Sequence, residues 1–145
     1  MHTIEERTGL EVLDDKECQL LLGRATLGRL AAVVDGQPSI FPVNFRRYGG
    51  TVVFRSDEGT KLDAAARDQP VAFEVDEVDT RERSGWSIVI RGRGTEVTDP
   101  DELKAVRKLP LHPWAQGVKS HYVRIVPDEI TGRRLVRNPD TLYRR

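Results

Sequence analysis

The stretch Leu27–Phe54, LGRLAAVVDGQPSIFPVNFRRYGGTVVF, sets three apolar, β-branched or aromatic runs between two turn signals. Leu27–Val34 reads as a strand and Ser39 to about Arg46 as the next. Asp35-Gly36 lies between them as a hairpin turn, because an Asp-Gly pair tolerates the positive φ that a two-residue loop requires. Gly49-Gly50 turns the chain again, into a strand from Thr51 that stops where the polar run beginning at Arg55 starts. Connections this short join antiparallel neighbours, so the stretch predicts a three-stranded meander.

The flanking sequence extends this pattern. Upstream, a polar arm to Thr8 leads to Asp14, which with Glu17 three residues on has the form of a capping box. A helix from about Asp15 to Leu22 follows, with Gly23 as its stop and with Cys18, Leu21 and Leu22 on one face. Cys18 has no catalytic signature around it and reads as a small buried apolar residue. Downstream, Pro70–Val78 alternates: Val71, Phe73 and Val75 face one way, Ala72, Glu74 and Asp76 the other, which predicts a strand with one wet side. The polar turn DTRERSG precedes a long strand Trp86–Val97 in which Gly92 and Gly94 mark bending or a bulge. Asp99-Pro100-Asp101-Glu102 starts a helix running to about Lys108, the loop LPLHPWAQG follows, and Lys119–Val126 reads as the last core strand. DEITG then reads as a turn and the arginine-rich end as a strand remnant or loose tail. About six strands, with helices too few to interleave as βαβ units, predict a small, mainly β antiparallel barrel with short helices outside.

Composition bounds what such a barrel can do. The 145 residues make one domain, 1–145, with an arm at about 1–8 and a tail at about 136–145. Its 23 basic and 23 acidic residues cancel, which leaves no overall field to draw the chain onto nucleic acid or an anionic membrane. One cysteine excludes an internal disulfide framework and a cysteine-rich zinc site, and fits a reducing compartment. No apolar run reaches a membrane span, and MHTIEERTG has neither the basic start nor the apolar block of a signal peptide, so the reading is a cytoplasmic protein with no metal site.

The chemistry concentrates in Val52–Leu62, VVFRSDEGTKL, where a strand passes through Gly59 into a short helix-forming run. Amides near Gly59–Lys61 would stand free at a helix N-terminus, and Arg55, Lys61, Ser56 and Thr60 supply two cations and two hydroxyls, the mixture that suits a phosphate monoester. The competing reading makes Arg55 and Lys61 solvated charges beside Asp57, Glu58 and Asp63, with Thr60 as a helix cap; the loop is no Walker motif. His112 and His121 are the remaining candidates for acid–base work, though a lone histidine is more often a hydrogen-bonded surface residue.

In order and spacing, PVNF (Pro42, Val43, Asn44, Phe45), FRSDEGTKL, VAFEVDEVD and GWSIVIRGRG resemble the successive blocks of the flavin-binding split-barrel family related to pyridoxamine phosphate oxidase; GRLA and the late ITGRR fit the same bacterial subgroup. The resemblance implies a six-stranded split barrel, a homodimer, and flavin mononucleotide (FMN) held at the dimer interface. Arg55, Ser56, Gly59, Thr60 and Lys61 match its phosphate-holding block, Pro42 to Phe45 the strand whose backbone runs beside the flavin ring, and Trp86 and Ser87 the place where the second subunit reaches the cofactor. Some relatives carry Arg-Gln at that last place, and the Arg-x-His substrate pair of pyridoxamine phosphate oxidase itself is replaced here by HYVRIVPDEITGRR, so oxidation of pyridoxamine phosphate is not expected. The expected function is a flavin-dependent oxidoreductase acting on a small substrate stacked over the ring. The alternatives are a flavin carrier or sensor without turnover, a deazaflavin-dependent reductase, and a barrel that has lost its cofactor and serves as an interaction protein. Haem, used by some members, finds no histidine in an axial-ligand setting.

Overall fold

A computed structural model describes residues 3–4, 10–57, 59–112 and 121–135. In chain order the elements are β1 (Thr3–Ile4), β2 (Glu11–Leu13), α1 (Asp15–Arg24), β3 (Leu27–Val34), β4 (Gln37–Tyr48), β5 (Thr51–Ser56), α2 (Lys61–Ala66), β6 (Pro70–Asp79), β7 (Ser84–Glu96), α3 (Pro100–Val106) and β8 (His121–Leu135). The hydrogen-bonded order β1-β2-β8-β5-β4-β3-β6-β7 returns on itself because β7 also pairs with β8. Six strands, β3 to β8, therefore close a ring in which every pairing is antiparallel, and β2 and β1 extend it beside β8.

The local reasons are legible. Asp35 and Gly36 both take positive φ, 51° and 75°, in the tight turn between β3 and β4. Asp14 accepts from the Glu17 amide at 2.8 Å and caps α1. That helix runs through Gly23 to Arg24, one residue beyond the expected stop: the Ala25 amide donates to the Leu21 carbonyl, and no left-handed glycine is used. Inward-facing residues of the ring, among them Leu30, Phe45, Phe54, Phe73, Ile88, Ile90 and Ile125, are essentially sealed from solvent. Phe45 and Phe73 meet edge to face at 5.1 Å between ring centroids. Cys18, Leu21 and Leu22 of α1 join the same core. β5 is apolar on both faces because Val53 looks outward into a second cluster with Val97, Val106, Leu111 and Tyr122 under α3.

A second expectation, at DEITG, also fails. DEITG is strand, not turn: β8 continues through it to Leu135, with Ile130 opposite Ile90 and Gly132 opposite Ile88. Arg91 pairs with Glu129 and Gly92 with Pro127, so Asp128 is the extra residue of a bulge. The long partner β7 offers a continuous ladder, and its backbone hydrogen bonds outweigh the local turn preference. The segment 113–120, with the start of the expected Lys119 strand, most of the N-terminal arm and the whole tail at 136–145 lie outside the described residues. Among the described residues no helix is long and apolar enough to cross a membrane.

Candidate functional site

The site is assembled where β4, β5 and β8 run side by side and β5 gives way to α2. Phe45 is opposite Phe54, Arg55 opposite Tyr122 and Ser56 opposite His121. Pro42 to Phe45 and the start of the phosphate-type loop are thus brought together. Val43 and Phe45 are buried in the core, which leaves the backbone of that strand and the outward Pro42 and Asn44 to meet a ligand. The Asn44 amide donates to the His112 carbonyl at 3.4 Å and Arg46 Nε to the Pro110 carbonyl at 2.8 Å, so both strap the segment after α3 onto β4. A cavity of about 180 Å³ opens there between Thr26, Phe45, Leu111 and His112.

On β5, Arg55 is half-buried with its guanidinium carbon 5.2 Å from the centre of the Tyr122 ring, a cation–π contact. Gly59 takes φ 76°, a left-handed turn that glycine enters without strain, and Thr60 caps α2. Thr60 Oγ1 accepts from the Asp63 amide at 3.1 Å and donates to the Asp57 carbonyl at 2.8 Å. Lys61, the first residue of α2, is exposed. The expectation of free amides does not hold for two of the three positions, because the Gly59 amide donates to Asp63 Oδ2 and the Thr60 amide to the Asp57 carbonyl, each at 3.4 Å.

Asp63, 6% exposed, organises the rest. Its Oδ1 accepts from Ser56 Oγ at 3.0 Å and from Arg67 Nε and Nη2 at 3.2 and 3.1 Å. Arg67 also lies 3.6 Å from Glu96 at the end of β7 and 3.3 Å from His121 Nδ1 at the start of β8, and His121 Nδ1 contacts Glu96. His121, expected only as an isolated candidate, is therefore a member of this network. The sequence reading gives Asp63 only as a charge beside Arg55 and Lys61 and gives Arg67 and Glu96 no role in the site, though Thr60-x-x-Asp63 has capping-box spacing and Asp63 and Arg67 are four apart on one helix. Glu96 and His121 join only through strand register, for which no local signal exists.

Trp86 and Ser87 are elsewhere. Trp86 lies ten residues before Glu96 on β7, roughly 30 Å at about 3.3 Å per residue, and half-buried against one end of the core beside a cavity of about 330 Å³ shared with Glu77 and Arg134. One chain does not bring Trp86 or Ser87 to the 55–61 loop.

Comparison with known proteins places these features in a group. The model of a family described as pyridoxamine 5'-phosphate oxidase matches residues 14–134. An uncharacterized Mycobacterium tuberculosis protein is 36% identical over 134 residues, 89% of this chain and 88% of its own. Among solved structures, an FAD binding protein from Mycobacterium smegmatis superposes with a TM-score of 0.78 at 42% identity, covering 86% of this chain and 98% of that one. An FAD-binding protein from Mesorhizobium loti gives 0.71 at 27% identity, covering 87% and 98%.

Proposed function

The chain belongs to the pyridoxamine 5'-phosphate oxidase family, and from that premise we propose that it binds a flavin nucleotide through the loop between β5 and α2 and uses it in an oxidoreductase reaction. The observation that carries the reading is the placement of Arg55 at the end of β5 and Lys61 at the start of α2, beside the strand that carries Asn44 and Phe45. Two cations at that spacing offer charge-assisted bonds to a phosphate, and the outer side of β4 offers backbone groups to a ring. The donor set fits a flavin phosphate: Lys61 is exposed and Arg55 is steadied by Tyr122.

A bound flavin would supply the hydride or single-electron chemistry, so this chain need only seat the ring, hold the phosphate and limit access. The substrate class is a small planar electron donor or acceptor able to stack on the ring, and pyridoxamine phosphate itself is not proposed. FMN is the smallest cofactor that satisfies the loop; the two solved relatives named as FAD-binding make the dinucleotide the second reading. Titration by flavin fluorescence with FMN, FAD, riboflavin and a deazaflavin decides among them. FMN or FAD is expected to bind and riboflavin to bind weakly. Uptake of the deazaflavin alone would move the cofactor assignment, and no uptake of any would remove it. Reoxidation of the reduced, bound flavin by small planar acceptors faster than free reduced flavin is the expected sign of turnover.

A further inference from the structure

We propose that Asp63 is the positioning residue of this site: Ser56 and Gly59 bind its carboxylate and not the flavin phosphate, and the loop so braced presents Arg55 and Lys61 as the phosphate's direct partners. The proposal rests on the flavin reading and deepens it by dividing five matched residues into those that touch the cofactor and those that shape the loop.

The division follows from counting protons. A serine or threonine hydroxyl has one O–H to give. Ser56 is completely buried and its Oγ stands 3.0 Å from Asp63 Oδ1, where a carboxylate can only accept. Thr60 gives its proton to the Asp57 carbonyl at 2.8 Å. Toward a phosphate both hydroxyls would turn lone pairs, which an anion repels. The Gly59 amide points at Asp63 Oδ2. Arg55 and Lys61 are the groups of the matched loop that carry positive charge, and they adjoin the braced residues Ser56 and Thr60 in the chain.

Asp63 is suited to the brace. A carboxylate buried this deeply is costly unless it is paired and hydrogen-bonded, and Arg67 meets it through two nitrogens. Arg67 is in turn held by Glu96 on β7 and His121 on β8. The chain Ser56, Asp63, Arg67, Glu96, His121 ties Asp63 to three strands of the ring, so the brace is anchored in the barrel.

The test is a double-mutant cycle with Ser56→Ala and Asp63→Asn, read as the ratio of FMN affinity to riboflavin affinity, which a general loss of folded protein would leave unchanged. Each single change is expected to lower that ratio by about tenfold and the double change to lower it no further, as for two groups acting through one contact. Effects that multiply would mean that Ser56 touches the phosphate itself, and an unchanged ratio in Asp63→Asn would mean that the brace is irrelevant; either overturns the proposal. The same variants, and the milder Arg67→Lys, are assayed without ligand for tryptic cleavage after Lys61. Faster cleavage is expected in Asp63→Asn and Ser56→Ala, and unchanged cleavage overturns the proposal. A parent that binds neither FMN nor riboflavin overturns the flavin reading alone, because the cleavage arm judges the brace with no cofactor present.

Discussion

Arg55 packs over the Tyr122 ring and Lys61 is exposed, so neither belongs to the buried core, and their removal should leave the fold in place and strip charge from the ligand. Losing one charge-assisted bond costs about 1.5–3 kcal/mol, and Arg55→Ala or Lys61→Ala should weaken FMN binding by tenfold to hundredfold while changing riboflavin little. Equal behaviour of both variants and parent toward both flavins would remove the anchor assignment. A second residue-scale prediction comes from the outer face of the ring, where Arg29 meets Glu74 at 3.2 Å and Asp76 at 3.1 Å. Burial pushes the Glu74 carboxyl up to about 7 from an ordinary 4.5, helped by the hydrogen bond and charge of Asp76 and opposed by Arg29. A carboxyl whose folded pKa is raised contributes stability that is full below its unfolded value and is lost as pH rises through the folded one. The protein should therefore lose stability between about pH 4.5 and 7 through this group. Glu74→Gln, which cannot ionise, should gain in Tm over the parent as pH goes from about 5 to 8; a Tm difference independent of pH would show that Glu74 titrates alike folded and unfolded.

At the scale of elements, most of the fold was legible because its signals are local. Asp35-Gly36, the alternation of Val71, Phe73 and Val75, and the Asp99-Pro100 helix start each act within a few residues, and each forms as read. DEITG misleads because its five residues prefer a turn while their partner, thirteen-residue β7, supplies a ladder that only the folded chain contains. The site divides the same way. The loop and the β4 strand were legible as motifs, and so was Thr60 as a helix cap, but the use of Ser56 was not, since it depends on where the Asp63 carboxylate points. Gly94 is the element-scale hinge of this arrangement: a Cβ there would lie 2.0 Å from the Ala66 carbonyl oxygen, so glycine is what lets the end of α2 sit on β7. Asp68 N–H also donates to the Gly94 carbonyl at 2.8 Å just past the helix. Gly94→Ala should push α2 off the wall, at a cost of about 1–3 kcal/mol in denaturant unfolding, and should weaken FMN binding with it because Asp63 and Arg67 move together. Unaltered unfolding and affinity would mean that α2 is not seated by this contact.

At the scale of the whole molecule, the outer face of the ring presents an uncovered apolar surface. Strand register sets Ile40, Ala31, Ala72 and Arg91 in one row across β4, β3, β6 and β7, and Pro42, Arg29, Glu74 and Val89 in the next. Ile40 is 69% exposed and Val33 58%, at the rim of a largely apolar hollow of about 550 Å³. An apolar hollow of that kind on a small domain marks a contact surface. We propose a second copy of this chain as the partner, as the family resemblance implies, and the geometry gives a reason for one. Trp86 stands roughly 30 Å along β7 from Glu96, the residue of that strand that joins the Asp63–Arg67 network beside the loop, at about 3.3 Å per residue, so a site using both needs two chains. A twofold dimer repeats each contact and creates two equivalent clefts. Ile40→Glu tests this without touching the core, since the residue is already exposed and its change should leave a lone subunit's stability unaltered. In a dimer it would bury an unpaired charge, and light scattering should show dissociation at micromolar concentration with FMN affinity falling in the same titration. Val89→Glu, on the neighbouring row beside Glu74, should act in the same direction. A parent that is monomeric at micromolar concentration and still binds FMN fully would sink the shared site, and would leave the loop of one chain as the whole of the cofactor's seat.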